Sequence, residues 1–209
     1  MPESCYLCGV TDRPLTADHV IPKVLFPQPR PHNLITERAC EACNGGLSKD
    51  DALFAVYVSA ALGRNEAGKW VWDNKATKSI LAKSVPLANQ FLNDASKKEI
   101  LTEVGIVEAD VLKIPQERLE RVIFRMAKGL LRHIDPTFDY SYSNFKLDRL
   151  WPTMETAEMI KDNSAKMAYM ERGNGVFRSL YTLTKDEPRH AVFFFFFYDA
   201  VGFIVSTIP

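Results

Sequence analysis

The sequence of 209 residues predicts an α+β fold, in which a small N-terminal module (residues 1–50) precedes a domain (residues 51–209) with a helical segment and an antiparallel sheet. Three observations carry the prediction. All four cysteines lie in the first 43 residues, helical apolar periodicity marks the middle of the chain, and short runs rich in Phe, Val and Ile fill its end. The 26 basic residues balance 26 acidic ones, so nucleic-acid binding would need a local patch.

The N-terminal module has no apolar run long enough to form a core. Its cysteines form two pairs with two intervening residues each, Cys5 with Cys8 and Cys40 with Cys43. The chain begins without signal-peptide features, so we expect a cytoplasmic protein, where such pairs favour a metal over disulfides. Four sulfur ligands predict one structural Zn²⁺ in a closed tetrahedral site, whose binding replaces the missing core. The alternative is four reduced cysteines without a metal.

Helices are expected in the first part of the larger domain. Apolar residues recur at helical spacing after Ser48, and shorter helical pieces follow, broken near Gly68 and Pro86. A clearer helix starts at Pro115, which suits a first-turn position, and Asp135-Pro136 stops it. The main predicted helices cover about residues 48–63, 115–134 and 153–163.

Strands are predicted within about residues 166–208, as an antiparallel meander of short aromatic and β-branched runs separated by turn residues. The run Phe193 to Phe197 lacks polar alternation and is therefore expected to be the central strand. The long apolar stretch from Ala191 to Ile208 carries Asp199 near its middle and is rich in β-branched residues. We expect two strands there, not a membrane helix, and no membrane partner.

Three short segments lie between and beside the cysteine pairs: DHVIP from Asp18, NLI from Asn33 and CEACN from Cys40. In this order, framed by two C-x-x-C pairs, they resemble the HNH endonuclease superfamily over about residues 5–51. The resemblance implies a ββα-metal fold, which is a treble-clef zinc finger that carries a nuclease site. It further implies a divalent-metal-dependent endonuclease that hydrolyses DNA phosphodiester bonds with one catalytic Mg²⁺ or Mn²⁺.

The chemistry of individual residues fits the same roles. His19 titrates near neutrality, which suits a general base that takes a proton from water. Asp18 and Asn44 offer the oxygen ligands that Mg²⁺ prefers. On a regular strand Asp18 and His19 point to opposite faces, so both can serve only if the backbone bends, as the resemblance implies. Asn33 resembles the family's middle asparagine, which holds the base-bearing segment in register.

Phosphate contacts are expected outside the N-terminal module, because residues 1–50 hold five Lys or Arg against six Asp or Glu. Basic residues recur at three- and four-residue steps along the helix after Pro115, opposite its apolar face. This stripe predicts contacts with a polyanion, and a solvated charged face is the alternative. The candidate nucleic-acid contacts are Lys49, Arg118, Arg121, Arg125, Lys128 and Arg132.

The sequence thus predicts an endonuclease whose partner is nucleic acid, with DNA as the expected substrate. The alternative is a non-catalytic zinc-finger module that binds nucleic acid or protein. In that case Asp18-His19 would be an ordinary surface dipeptide, with His19 bonded to a backbone carbonyl.

Overall fold

The computed structural model describes residues 3–102, 105–138, 144–150, 158, 160–162, 164–184 and 189–208. It confirms the predicted α+β class. The helices are α1 (Glu41–Gly46), α2 (Ser48–Ala60), α3 (Glu66–Val71), a π-helical segment (Trp72–Leu81), α4 (Val85–Asp94) and α5 (Gln116–Ile134). The strands are β1 (Leu15–His19), β2 (Thr36–Cys40), β3 (Ala95–Thr102), β4 (Gly105–Leu112), β5 (Asn144–Leu150), β6 (Ala168–Arg172), β7 (Phe177–Leu183), β8 (Ala191–Phe197) and β9 (Val201–Ile208).

The N-terminal part consists of the antiparallel hairpin β1–β2 followed at once by α1. We call residues 3–19 and 36–46 the finger, and residues 20–35 between its strands the connecting loop. The finger has a core of its own made of only four buried side chains, Cys5, Tyr6, Ala39 and Cys40. As the sequence predicts, apolar burial alone is too small to hold it.

The observed helices agree with two of the three main predictions. α2 and α5 lie within one to three residues of the expected bounds, and the apolar face of α5 is buried as predicted. The predicted helix over residues 153–163 falls mostly outside the described residues. The helical pieces expected up to about residue 100 end earlier: α4 stops at Asp94, and residues 95–102 form β3 of an unpredicted β3–β4 hairpin. Its Lys- and Glu-rich sequence has no obvious turn before Gly105.

The main sheet has five antiparallel strands in the order β5-β9-β8-β7-β6. β8, the phenylalanine strand, is central as predicted, and the expected meander corresponds to β6–β9. Alternate side chains Phe193, Phe195 and Phe197 are at most 1% exposed and face the helices. The ring of Phe54 on α2 packs edge-on against Phe197, with centroids 5.0 Å apart.

The connecting loop packs into the same core as the sheet and helices, through apolar side chains such as Ile21, Leu25 and Phe26. Close approach to α5 depends on Gly129, because a Cβ there would lie 2.6 Å from a methyl carbon of Val20. The finger is therefore held against the helices through its connecting loop. The helices in the described ranges are too short or too polar to cross a membrane.

Candidate metal centre and active site

The four cysteines converge, as predicted. Cys5 and Cys8 lie in the N-terminal turn, Cys40 ends β2, and Cys43 lies on α1, so three elements supply the cluster. The Sγ atoms all lie within 4.8 Å of one another, and those of Cys8 and Cys40 are 3.8 Å apart. A tetrahedron with Zn–S bonds of about 2.3 Å has edges of about 3.8 Å. The site fits a structural zinc ion, and the described residues contain no second cluster of His, Cys, Asp or Glu of this kind.

The thiols are arranged for binding a cation. Burial opposes ionisation of Cys5, but backbone N–H donors of Cys40, Cys8 and Leu7 outweigh it and bring the pKa down to about 7. Burial and the neighbouring thiols raise the pKa of Cys43 far above its usual range. Four negative sulfurs cannot coexist at this spacing without a counter-charge, so deprotonation of the whole cluster needs a metal.

Asn44 lies on α1 directly after Cys43 and docks on β1. Its Nδ2 donates to the hydroxyl of Thr16 at 2.9 Å and to the carbonyl oxygen of Ala17 at 3.4 Å. Because a carbonyl can only accept, the amide nitrogen must face β1, and neither of these two bonds uses the amide oxygen. Asn44 is therefore fixed beside Thr16 and Ala17, which precede Asp18, and its amide oxygen, the predicted metal ligand, is not used in these bonds.

Asp18 is buried, with 4% of its surface exposed, and its Oδ2 accepts a hydrogen bond from the Tyr6 hydroxyl at 2.7 Å. Burial and the charge of Asp18 raise the pKa of Tyr6 strongly, so its hydroxyl stays a donor. Asp18 alternates with Thr16 on the strand and so shares the face on which Asn44 docks. Sequence reasoning missed Tyr6 as the partner of Asp18. The available signal was its position directly after Cys5, which places it in the turn that carries the first two cysteines.

The expected bend between Asp18 and His19 does not occur. Asp18 pairs with Glu37 and His19 with Thr36 in a continuous antiparallel register. The two side chains therefore point to opposite faces of the hairpin. Sequence reasoning also missed Glu37, which lies across from Asp18 with its Oε1 3.4 Å from Nδ1 of His133. Burial raises the pKa of Glu37.

His19 ends β1 and is half-buried. Burial and the positive charges of Lys23 and Arg30 lower its pKa, against an opposing effect of Asp18. A lowered pKa leaves the imidazole neutral at cellular pH and able to accept a proton, as the predicted role requires.

Asn33 is exposed on the connecting loop, and its side chain has no hydrogen bond to another described residue. The expected role of holding the base-bearing segment is filled by the backbone, where the amide of Val20 donates to the carbonyl of Ile35 at 3.1 Å. Asn33 instead lines a surface cavity of about 620 Å³.

The basic stripe of α5 is largely an interhelical ion-pair network. Arg118 and Arg121 both bind the carboxylate of Asp50, at 2.6 and 2.7 Å. Arg125 pairs with Asp51 at 2.6 Å, and its side chain is only 2% exposed. Arg125 therefore does not lie on a surface that could meet phosphates, in contrast to the expectation from helical spacing.

The other candidates on the stripe differ in setting. The ammonium of Lys128 lies 5.8 Å from the centre of the Phe145 ring, and Arg132 is half-buried. Lys49 has an exposed side chain, while its carbonyl accepts from Arg118 at 3.0 Å. Arg118, Arg121 and Arg125 thus tie α5 to α2, and this use of the charge was not predicted.

Comparison of the chain with known protein families, curated proteins and solved structures found no match. The cysteine cluster is a possible zinc site and is compatible with a module of zinc-finger type.

Proposed function

We propose that the protein is a divalent-metal-dependent endonuclease of the HNH type that hydrolyses phosphodiester bonds in DNA. One observation carries the proposal: strand, strand and helix follow one another in the finger, β1 ends on His19, and Asn44 of α1 is bonded to that strand. A zinc ion in the cysteine cluster would fix α1 against the hairpin. A reducing cytoplasm would keep the thiols available to the metal.

In this proposal His19 is the general base. Its neutral imidazole accepts a proton from water, and the water oxygen forms a bond to phosphorus. The bond from phosphorus to the leaving oxygen breaks, and that oxygen takes a proton from solvent. Asp18 and Asn44 would hold one Mg²⁺ or Mn²⁺ through carboxylate and amide oxygens. The ion would supply positive charge beside the phosphoryl and leaving oxygens.

The second candidate is a non-catalytic zinc-finger module that binds nucleic acid or protein. The burial of Asp18 against Tyr6 and the unbent register through His19 favour it, because they direct the two side chains apart. For catalysis, the free oxygen of Asp18 would have to reach the ion while Tyr6 holds the other, or the strand would have to bend on metal binding.

A nicking assay separates the two candidates. We expect purified, zinc-loaded protein to nick plasmid DNA with added Mg²⁺, and His19→Ala to reduce the rate by roughly 10²- to 10⁴-fold, the usual loss for a general base. His32→Ala is the matched control, since His32 is an exposed histidine of the connecting loop. Full activity in folded His19→Ala, or no cleavage of DNA by the wild type, would favour the binding module.

A more conservative variant tests the metal ligand. Asp18→Asn keeps an acceptor for Tyr6 but loses the negative charge. We expect a higher Mg²⁺ concentration for half-maximal nicking with little change in melting temperature. An unchanged Mg²⁺ response would remove Asp18 from the proposed site.

A further inference from the structure

The connecting loop gathers cations that lack acidic partners. Nε of Arg30 donates to the backbone carbonyl of Lys23 at 3.3 Å, so the guanidinium lies against the start of the loop. The charges of Lys23 and Arg30 both act on His19, whose pKa they lower. Within the described residues, neither Lys23 nor Arg30 has a carboxylate within 4.0 Å. This differs from α5, where Asp50 and Asp51 neutralise the arginines. The available positive charge of this part of the molecule therefore lies just after His19.

Lys75 has a different role in the same region. It extends from the π-helical segment, and its ammonium donates to the carbonyl oxygens of Val24 (3.3 Å) and Phe26. Its nitrogen also lies 5.7 Å from the centre of the Trp70 ring. Because its donors are used on the backbone, Lys75 positions the loop and leaves contact with a ligand to Lys23 and Arg30.

A cavity of about 620 Å³ opens beside Arg30, and Lys23 lies on the same loop outside its lining. Its volume lies within the range of small-ligand sites, which is about 300–1,000 Å³. The connecting loop forms one wall and the turn between β6 and β7 forms the other. The turn is pressed against the loop, since a Cβ on Gly173 would lie 2.6 Å from the Phe26 ring. The lining residues are Phe26, Pro27, Pro29, Arg30, Pro31, Asn33, Glu171, Gly173 and Asn174.

The cavity is polarised. Arg30 supplies positive charge on the loop side, and Glu171 supplies negative charge on the turn side. Glu171 is already held by the amide of Gly175 and the hydroxyl of Tyr169, both at 2.6 Å, and its Oε1 lies 3.7 Å from Nε of Arg178. Its position is therefore fixed and its charge is partly balanced. The exposed residues Asn33, on the loop, and Asn174, on the turn, also line the cavity, together with Phe26 and three prolines. An anion suits the Arg30 end, and a flat heterocycle with donor groups suits the other.

We propose that this cavity binds one nucleotide of the nucleic-acid strand, with the phosphate on Arg30 at the loop, within reach of Lys23. The base would lie between the loop wall, which carries the prolines and Asn33, and the turn wall, which carries Asn174. The proposal deepens the proposed function by giving the strand a grip next to His19, and it assigns Asn33 to substrate positioning. A base can enter such a pocket only when it is unstacked, so single-stranded or locally opened DNA should bind better than intact duplex.

Affinity measurements test the phosphate contacts without any cleavage. Binding of a fluorescent single-stranded DNA 12-mer would be measured by anisotropy across salt concentrations, with zinc-loaded protein and no added Mg²⁺. We expect Lys23→Gln and Arg30→Gln each to weaken binding several-fold and to flatten the slope of log affinity against log salt by about 0.7, the value for one single-strand phosphate contact. Lys98→Gln on the β3–β4 hairpin is the control, because it removes one exposed charge away from the cavity.

The base site needs a separate readout. In ¹⁵N NMR, the same 12-mer should shift the side-chain amide signals of Asn33 and Asn174, whereas inorganic phosphate should shift only the Arg30 Nε signal. Unchanged salt slopes in folded Lys23→Gln and Arg30→Gln, or unshifted Asn33 and Asn174 amides at saturating DNA, would overturn the proposal. Binding that depends on Arg30 in a protein that never cleaves would retain this site and reject the nuclease.

Discussion

The finger and the sheet are stabilised by opposite means. The finger buries four side chains in its own core, two of them cysteines, and relies on a cluster that fits zinc. The sheet buries alternate phenylalanines of β8 against the helices, with ring centroids 5.4 to 5.5 Å apart along Phe177, Phe195 and Phe193. The segment with many turns thus has a small core and a set of four ligands that could hold a metal, while the segment of strands and helices is held by apolar burial.

The candidate catalytic residues lie in the finger, which carries the cysteine cluster. His19 and Asn44 are positioned by the hairpin and α1, whereas the charges of α5 hold helices together. The connecting loop joins the two regions, because it begins after His19 and packs in the main core. This arrangement makes four tests possible: two perturb one region and compare it with the other, and two perturb contacts of α5.

Removal of the metal should have the largest effect. Structural zinc contributes about 10–16 kcal/mol of apparent binding free energy in small fingers, which a four-residue core cannot replace. We expect chelation under reducing conditions to abolish amide-exchange protection in residues 5–19 and 36–46, while the sheet and the connecting loop keep theirs. Protection that persists in the metal-free, reduced finger would show that the finger does not depend on a metal for its stability.

A core truncation should have the converse effect. Phe195 is 0% exposed, so Phe195→Ala should lower the free energy of unfolding by about 3–5 kcal/mol through lost burial and a cavity. Phe196→Ala is the control, because Phe196 is half-buried on the opposite face of β8 and should cost less. Urea denaturation measures both. Loss of zinc from folded Phe195→Ala would show that the two regions are not separately stabilised.

Much of this division could be predicted from the sequence. The cysteine spacing identified the cluster, and the uninterrupted phenylalanine run identified the central strand, since both are local patterns with one dominant physical meaning. The β3–β4 hairpin was missed because residues 95–112 lack a clear turn signal and follow helical pieces.

The errors at the site have a different cause. Helical spacing placed Arg125 on a basic face, but only the tertiary structure brings Asp51 against it. In the same way, Tyr6 reaches Asp18, and Arg30 reaches the cavity, through chain reversals that no local pattern specifies. The sequence shows which chemistry each side chain can supply. It does not show which residue that side chain will contact, because the contact depends on the tertiary structure.

Gly129→Ala tests the contact between the regions. Alanine should gain about 1 kcal/mol of helix propensity, but its Cβ would meet both methyl carbons of Val20 at 2.6 and 2.7 Å, and overpacking costs about 1–3 kcal/mol. We expect a net loss of about 1 kcal/mol by urea denaturation. Val20→Ala removes the opposing methyl groups, so the double variant should be more stable than the sum of the single changes predicts. Strict additivity would mean that Gly129 is not the close contact.

The smallest effect should be a pH dependence at the ion pair of Asp51 on α2 with Arg125 on α5. Burial raises the pKa of Asp51 to about 6, although Arg125 opposes the shift and Asp18 and Asp50 reinforce it. Because the folded-state pKa exceeds the unfolded value, the contribution of Asp51 to stability is greatest in acid and is lost as the pH rises through about 6. Between pH 5 and 7 the loss should be on the order of 1 kcal/mol, at 1.36 kcal/mol per pKa unit.

Asp51→Asn keeps an acceptor for Arg125 and cannot titrate, so its unfolding free energy should lack this component. Urea denaturation of zinc-loaded wild type and variant at both pH values measures the difference, and identical pH profiles would show that Asp51 does not titrate in this range.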